Sequence, residues 1–433
     1  MSSDSGSDSD APGRIRRLLE RLVRASAMER IAISVAALFA AVLVGGAFVF
    51  VSGGVASCRS GLDIAGVTFC YNPMQVFYEL FLGALGNPLQ GGWSPTNLSL
   101  AKTLQQTTLL IFAGLSVAVA FRAGLLNIGT QGQLVIGGFV TAITVVFAEP
   151  IVPGGLVGML VLIPLGVLAG AIGGGLYGAI PGALKAYADA NEVITTIMLN
   201  FVAVGITSTL LSWQFQDNNS TTAQTAPVPE YAEVPTIPYI GFDERVDFSL
   251  LALGFAVVLM LGIAWLFART SFGYELRTSG IQPAAAAYGG VDGKRMTVAT
   301  MSLSGALGGI AGAFWVLMVH GRWLKNVPSI GFDGIAVSVL AGSNPLGVGA
   351  SAFLFGMLDS GESAIGSTTN VPPDLVGILS GLIILFVAMP EFFRMIGTRY
   401  VDVRSPEPAR ADGGSVPDDD NEATDESGGE DGG

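Results

Sequence analysis

The sequence has two cysteines, one histidine and only 13% charged residues in a length of 433. So few soft or imidazole ligands exclude a structural zinc centre and a histidine-dependent nucleophile, because each needs ligands or a base that the chain lacks. No catalytic residue and no metal ligand is therefore expected. Scarce charge also leaves little with which to solvate a surface. Hydrophobic residues make up 51% of the chain, in apolar runs of about 20 that recur along its length, the pattern of a polytopic membrane protein. The net charge of −13 is concentrated at the ends: residues 1–10 carry three acids and 412–433 carry nine, with no Lys or Arg in either piece. The body between is almost neutral, so no nucleic-acid partner is expected. Both tails are rich in Ser, Gly and Asp and read as disordered. Such tails suit a salt-rich cytoplasm, which points to a halophile; an interaction tail is the alternative reading.

Residues 1–30 form an acidic and then basic N-terminal segment, 31–396 the membrane domain, and 397–433 the acidic tail. The 21-residue run 31–51 follows a cluster of arginines and reads as a first span with its N-terminus inside. Its end, Val55-Ala56-Ser57-Cys58, resembles a lipoprotein cleavage box, but a lipoprotein would release a soluble domain, whereas nine more apolar segments follow. These lie near 103–121, 124–148, 155–184, 192–212, 249–268, 297–319, 333–342, 348–360 and 372–393. Ten passes put both termini in the cytoplasm. Of the 21 basic residues, 16 then fall inside and five outside, as the positive-inside rule requires. The segments within 333–360 are short enough to be either a re-entrant hairpin or two crossings. Cys58 and Cys70 share the outer loop 52–102 and are a possible disulfide, two unpaired thiols being the other reading. The second outer loop, 213–248, is rich in Pro and acids and reads as a docking surface. Gly166, Gly170, Gly174, Gly178 and Gly182 recur every fourth residue and, with Ser304, Gly308 and Gly312, predict close helix packing. Trp315, His320 and Trp323 read as interfacial anchors.

Polar residues inside an apolar span are costly and mark cavities, partners or a transport path. Asn127, Thr130, Gln131 and Gln133 open the third span; Asn191, Glu192, Thr195, Thr196 and Asn200 open the fifth. Glu192, Thr195, Thr196 and Asn200 share one helix face. Asn127, Gln131, Gln133, Glu192, Thr196 and Asn200 are the candidate lining of a translocation path. Against this stand hydrogen bonding between helices and, for Asn127 and Asn191, helix capping. In the inner loop 269–296, Pro283 starts and Gly289 ends a short Ala-rich helix, a shape suited to a groove on another protein. The run 289–295 is not a phosphate loop: Tyr288 stands where the first Gly is needed and Arg295 replaces Ser/Thr. Nucleotide chemistry must therefore come from a partner.

Segments 114–133 (GLSVAVAFRAGLLNIGTQGQ), 191–200 (NEVITTIMLN), 273–290 and 343–347 together resemble the permease subunits of ABC importers for nucleosides and simple sugars, within the branched-chain amino acid/ribose permease group. The resemblance covers roughly residues 100–395. It implies an all-α polytopic helical bundle of about ten spans, like the type II importer permeases. The implied partners are ABC ATPase subunits that bind ATP and Mg, a second and paralogous permease, and an external substrate-binding lipoprotein. The chain itself would bind no cofactor. By the same resemblance Gly273, Arg277, Gly280, Pro283, Ala284, Ala285 and Gly289 form the ATPase coupling loop. An uncharged, hydroxyl-rich solute would suit a path of amides, threonines and the single acid Glu192. The alternative is an ion-gradient-driven secondary transporter, which needs a mid-membrane ion or proton site at broken helices.

Overall fold

The computed structural model describes residues 27–56, 62–64, 67–89, 93–236, 248–369 and 371–400. Cys58 lies outside them, as do both acidic tails and part of the loop 213–248, so the Cys58–Cys70 pairing stays an expectation. The described chain is almost entirely helical, with one short antiparallel hairpin, β1 (Leu62–Ile64) and β2 (Val67–Phe69). Thirteen α-helices are described: α1 (Ala27–Val55), α2 (Pro73–Phe81), α3 (Leu98–Arg122), α4 (Thr130–Ala148), α5 (Leu156–Ala188), α6 (Glu192–Leu210) and α7 (Leu250–Arg269), then α8 (Ser271–Ile281), α9 (Pro283–Tyr288), α10 (Gly293–Phe314), α11 (Ile330–Leu340), α12 (Pro345–Thr368) and α13 (Pro373–Tyr400).

Seven described helices are long and apolar enough to cross a membrane: α1, α3, α4, α5, α6, α7 and α10. α12 has the length, with 24 residues, but carries Asp359 and Glu362, which is why the apolar pattern truncated it at residue 360. α11 has only 11 residues, roughly 16 Å at 1.5 Å per residue and about half of a bilayer core. The region 333–360 thus divides unequally, into the half-length α11 and most of the longer α12.

α3 and α10 are buried at the centre, with α5, α6 and α7 on the periphery. The most extensive contact joins α5 to α10, and glycine causes it. A Cβ on Gly309 would lie 2.9 Å from the carbonyl carbon of Gly170 and 3.0 Å from the Cα of Gly174. The two backbones touch, so the four-residue glycine repeat is a packing stripe, the arrangement by which membrane helices gain van der Waals contact without a hydrophobic driving force. Trp315 and Trp323 are 2% and 1% exposed, which overturns their reading as interfacial anchors. Trp323 instead packs edge-on against Phe139, with ring centroids 5.1 Å apart. At that end of the bundle the segment 216–236 is stitched by its backbone to the chain after α10, through Val228 N to Gly321 O at 2.7 Å and Val234 N to Leu317 O at 2.8 Å.

Candidate functional site

The third span was expected to be helical from residue 124, but α3 ends at Arg122 and α4 begins only at Thr130. The Ser116 hydroxyl lies 3.2 Å from that of Thr130. Ser116 is six residues before Arg122, roughly 9 Å along the helix. The non-helical segment 123–129 therefore climbs back into the bundle before α4 starts. Irregular backbone at such depth has no water to bond, so side chains must satisfy its N–H and C=O groups.

The amides do this. Asn127 Oδ1 accepts from Gly129 N at 3.0 Å. Asn200 Nδ2 donates to Ile128 O at 3.0 Å, while its Oδ1 accepts from Gly132 N, an otherwise orphaned first-turn donor of α4, at 2.8 Å. Asn127 Nδ2 donates to Gln133 Oε1 at 2.9 Å and to Ser304 Oγ at 2.7 Å. Ser304 and Ser116 exchange hydroxyl-to-carbonyl bonds of 2.6 and 2.7 Å between α10 and α3. Asn127, Gln133, Thr130, Ser116 and Ser304 are all buried. Asn127 is thus not a cap of α4, whose cap position is Gly129. Asn191 does cap α6, accepting from Val193 N and Ile194 N.

Gln131 braces a second break. Its Nε2 donates to Pro328 O at 2.9 Å and its Oε1 accepts from Gly331 N at 2.8 Å. The chain leaving α10 therefore returns to the depth of Gln131 before the half-length α11 begins, and the N-termini of α4 and α11 meet inside the bundle. Asp333, in the first turn of α11, donates from its N–H to Ser329 O at 3.1 Å and lies within electrostatic reach of Asp359 of α12. Asp359 also interacts with Glu362. Asp359 is exposed, beside Ser360, whose Oγ donates to Ser99 O at 3.2 Å in the first turn of α3. Asp333 was missed by sequence reasoning; its signal was the rule that an acid within an apolar helix calls for a functional reading. Asp359 is the fifteenth residue of α12, roughly 21 Å from its start.

The second polar cluster disperses. Glu192 pairs with Lys185, Oε2 to Nζ 3.3 Å, at the end of the bundle where α5 meets α6. Thr195 and Thr196 return their hydroxyls to the carbonyls of their own helix, Thr196 to Glu192 O at 2.6 Å. Of the face formed by Glu192, Thr195, Thr196 and Asn200, only Asn200 hydrogen-bonds to another helix.

At the same end lies the 269–296 region. Thr270 caps α8 through Gly273 N at 3.1 Å. A Cβ on Gly273 would lie 2.7 Å from the Cα of Phe267, so the tight turn between α7 and α8 requires glycine. Arg277 Nε returns to Gly273 O at 3.3 Å. Pro283 starts α9, and Gly289 closes it with its N–H on Ala285 O at 3.2 Å. Ala286 is buried beneath α9, whereas Ala284, Ala285 and Ala287 are exposed, flanked by Ile281 at 77% and Tyr288 at 95%. Gly280 presses on the backbone of the broken segment: its Cβ would lie 2.9 Å from Ala123 Cα, and a Cβ on Gly124 would lie 3.0 Å from Gly280 O.

Comparison with known proteins agrees with this architecture. Residues 99–388 match the family described as "Branched-chain amino acid transport system / permease component". The chain is 32% identical over 330 residues to the nucleoside ABC transporter permease protein NupB of Lactococcus lactis subsp. cremoris, covering 75% of this chain and 85% of that protein. It is 35% identical over 305 residues to the guanosine ABC transporter permease protein NupP of Bacillus subtilis, covering 68% and 82%. To the glucose ABC transporter permease protein TsgB13 of Haloferax volcanii it is 29% identical over 329 residues, covering 74% and 84%. No solved structure matches. With its helical bundle and the span of the match, the chain belongs to this family of ABC transporter permease components, as a multi-pass, non-catalytic transport subunit.

Proposed function

We propose that the chain is the membrane-spanning subunit of an ATP-binding-cassette importer that carries a nucleoside or a simple sugar across the plasma membrane. The observation that carries this reading is the exposed alanine face of α9 with Ile281 and Tyr288 beside it. A short apolar helix standing outside the bundle gains by seating in a groove, and a partner ATPase that binds ATP and Mg is its occupant. Gly273, Arg277, Gly280, Pro283, Ala284, Ala285 and Gly289 belong to that coupling region. The bias of basic residues supports cytoplasmic termini and a cytoplasmic α9. At the opposite end the segment 216–236 would receive a substrate-binding lipoprotein, and a second, paralogous permease completes the pore. The acid-rich tails, which suit a halophile, have no part in this scheme.

The path for the solute lies where the two broken helices meet. Discontinuous helices commonly frame transport sites because their unwound backbone and free termini offer polar groups at depth. Gln131 and Asp333 border this junction, and a carboxylate accepts hydrogen bonds from the paired hydroxyls that nucleosides and sugars share. Asn127, Gln133 and Asn200 contribute as the frame that holds the junction, Thr196 packs beside Gly129 with its hydroxyl bonded within its own helix, and Glu192 stands apart with Lys185. Named nucleoside and guanosine relatives favour a nucleoside over a monosaccharide.

The test is to purify the chain from native membranes in mild detergent, identify its companions by mass spectrometry, and reconstitute the assembly. ATP-dependent uptake of a labelled nucleoside supports the reading. The acids at the broken helices are also what an ion-gradient transporter requires, so the same vesicles should be given a proton or sodium gradient without ATP. Uptake under that condition by the chain alone would replace the importer reading.

A further inference from the structure

The end of α3 holds a junction that none of the features above uses. Arg122, its last residue, donates from Nε to the carbonyl of Ser343 at 2.9 Å. Ser343 lies in the turn between α11 and α12 with φ +54, a left-handed conformation that non-glycine residues adopt rarely. The Arg122 guanidinium also sits over the Phe267 ring, 5.9 Å from its centroid, near the end of α7, and lies close enough to Arg277 of α8 for the two cations to repel. One residue on, Ala123 and Gly124 meet Gly280 of α8 backbone to backbone.

We infer that Arg122, together with the Gly124–Gly280 contact, is a relay joint: a displacement of α8 reaches both mid-membrane breaks at once. Resting on the importer reading, this assigns Arg122 a positioning role in coupling ATP hydrolysis to solute movement. The contact at Gly280 has no side chain to absorb motion, so a shift of α8 is handed to residues 123–124 undiminished. Those residues begin the segment whose far end is held by Asn127 and Asn200. Arg122 carries the same shift to Ser343, and α11 runs from that turn back to Gln131 and Asp333. The segment that leads into α4 and the turn that follows the half-length α11 are thus both attached to the end of α3 beside α8, which continues into the docking helix α9.

The test uses the whole transporter, with its ATPase and companion subunits, in proteoliposomes, and reads solute transported per ATP hydrolysed. Arg122→Gln should leave the ATPase bound and hydrolysis within about twofold, while lowering transport per ATP by about 2- to 30-fold, the range seen when a residue touching neither ligand alters coupling. Arg122→Lys keeps the charge but not the planar Nε donor, and should give an intermediate ratio. If Arg122→Gln prevents assembly, the lysine variant alone carries the measurement. An unchanged ratio, or hydrolysis and uptake that fall in proportion with the ATPase still bound, overturns the relay. Failure of the unaltered chain to bind any ATPase would instead overturn the importer reading, and the relay with it.

Discussion

Replacing Asn127 by leucine tests whether the buried amides are a frame or a lining. Leucine has a similar volume, so little cavity is created, but the hydrogen bonds are lost. Gly129 N–H loses its acceptor and Gln133 loses partners at both its Oε1 and its Nε2, whereas Ser304 Oγ keeps its bond to Ser116 O. Three polar groups are thus orphaned at a position that is 0% exposed. In a water-soluble protein each orphan costs roughly 1–3 kcal/mol. Inside a membrane the unfolded helices also find partners, and an interhelical bond averages about 0.6 kcal/mol with a maximum of about 1.7. Three groups at the average give about 2 kcal/mol, on the order of a 30-fold shift in the unfolding equilibrium. The assay is reversible unfolding of the purified chain by sodium dodecyl sulfate in mixed micelles, followed by circular dichroism. Asn127→Asp keeps the acceptor to Gly129 but buries a carboxylate against Gln133 Oε1, and should be at least as destabilising as leucine. A leucine variant as stable as the parent to within about 0.5 kcal/mol, with a raised KM for uptake, would refute the frame and move Asn127 into the solute path.

Gly309→Val drives a branched side chain into the backbone of α5 and should lower stability by about 1–3 kcal/mol or more, measured as the thermal half-point of a detergent extract. Gly205→Val, at a glycine with nothing within 4 Å, is the matched control and should be neutral. Ala285→Glu places a charge on the exposed face of α9 and should abolish uptake while leaving the chain inserted, which membrane fractionation checks; normal uptake would count against docking through α9. Glu192→Gln breaks a pair with Lys185 whose side chains are 16% and 34% exposed, worth at most about 1 kcal/mol, and uptake should stay within about twofold, so a complete loss would mean that Glu192 meets the solute. Asp333→Asn should raise the KM for uptake with little change in ATP hydrolysis, and an unaltered KM would remove Asp333 from the path.

Much of the architecture was legible locally. Apolar length marked the spans, the proline and glycine around four alanines marked α9, and the four-residue glycine repeat marked the helix that lies against α10. Asn191 as a cap was equally local, since its partners are two and three residues away. The breaks were not legible. The run 124–148 is apolar on average, and hydropathy does not register that its first six residues are unwound when their polar groups are satisfied by side chains from elsewhere in the chain.

By itself, then, the sequence determined that this chain is a helical membrane bundle with a short alanine-rich helix between two spans, because helix period, span length and close glycine packing are properties of neighbouring residues. Only the tertiary structure decided what the amides do. Asn127 meets Ser304 at a separation of 177 residues and Gln131 meets Gly331 at 200. An amide that braces an unwound backbone and one that lines a channel have the same composition and the same place in a pattern. They differ only in which distant group reaches them first, and that is fixed by how the helices pack.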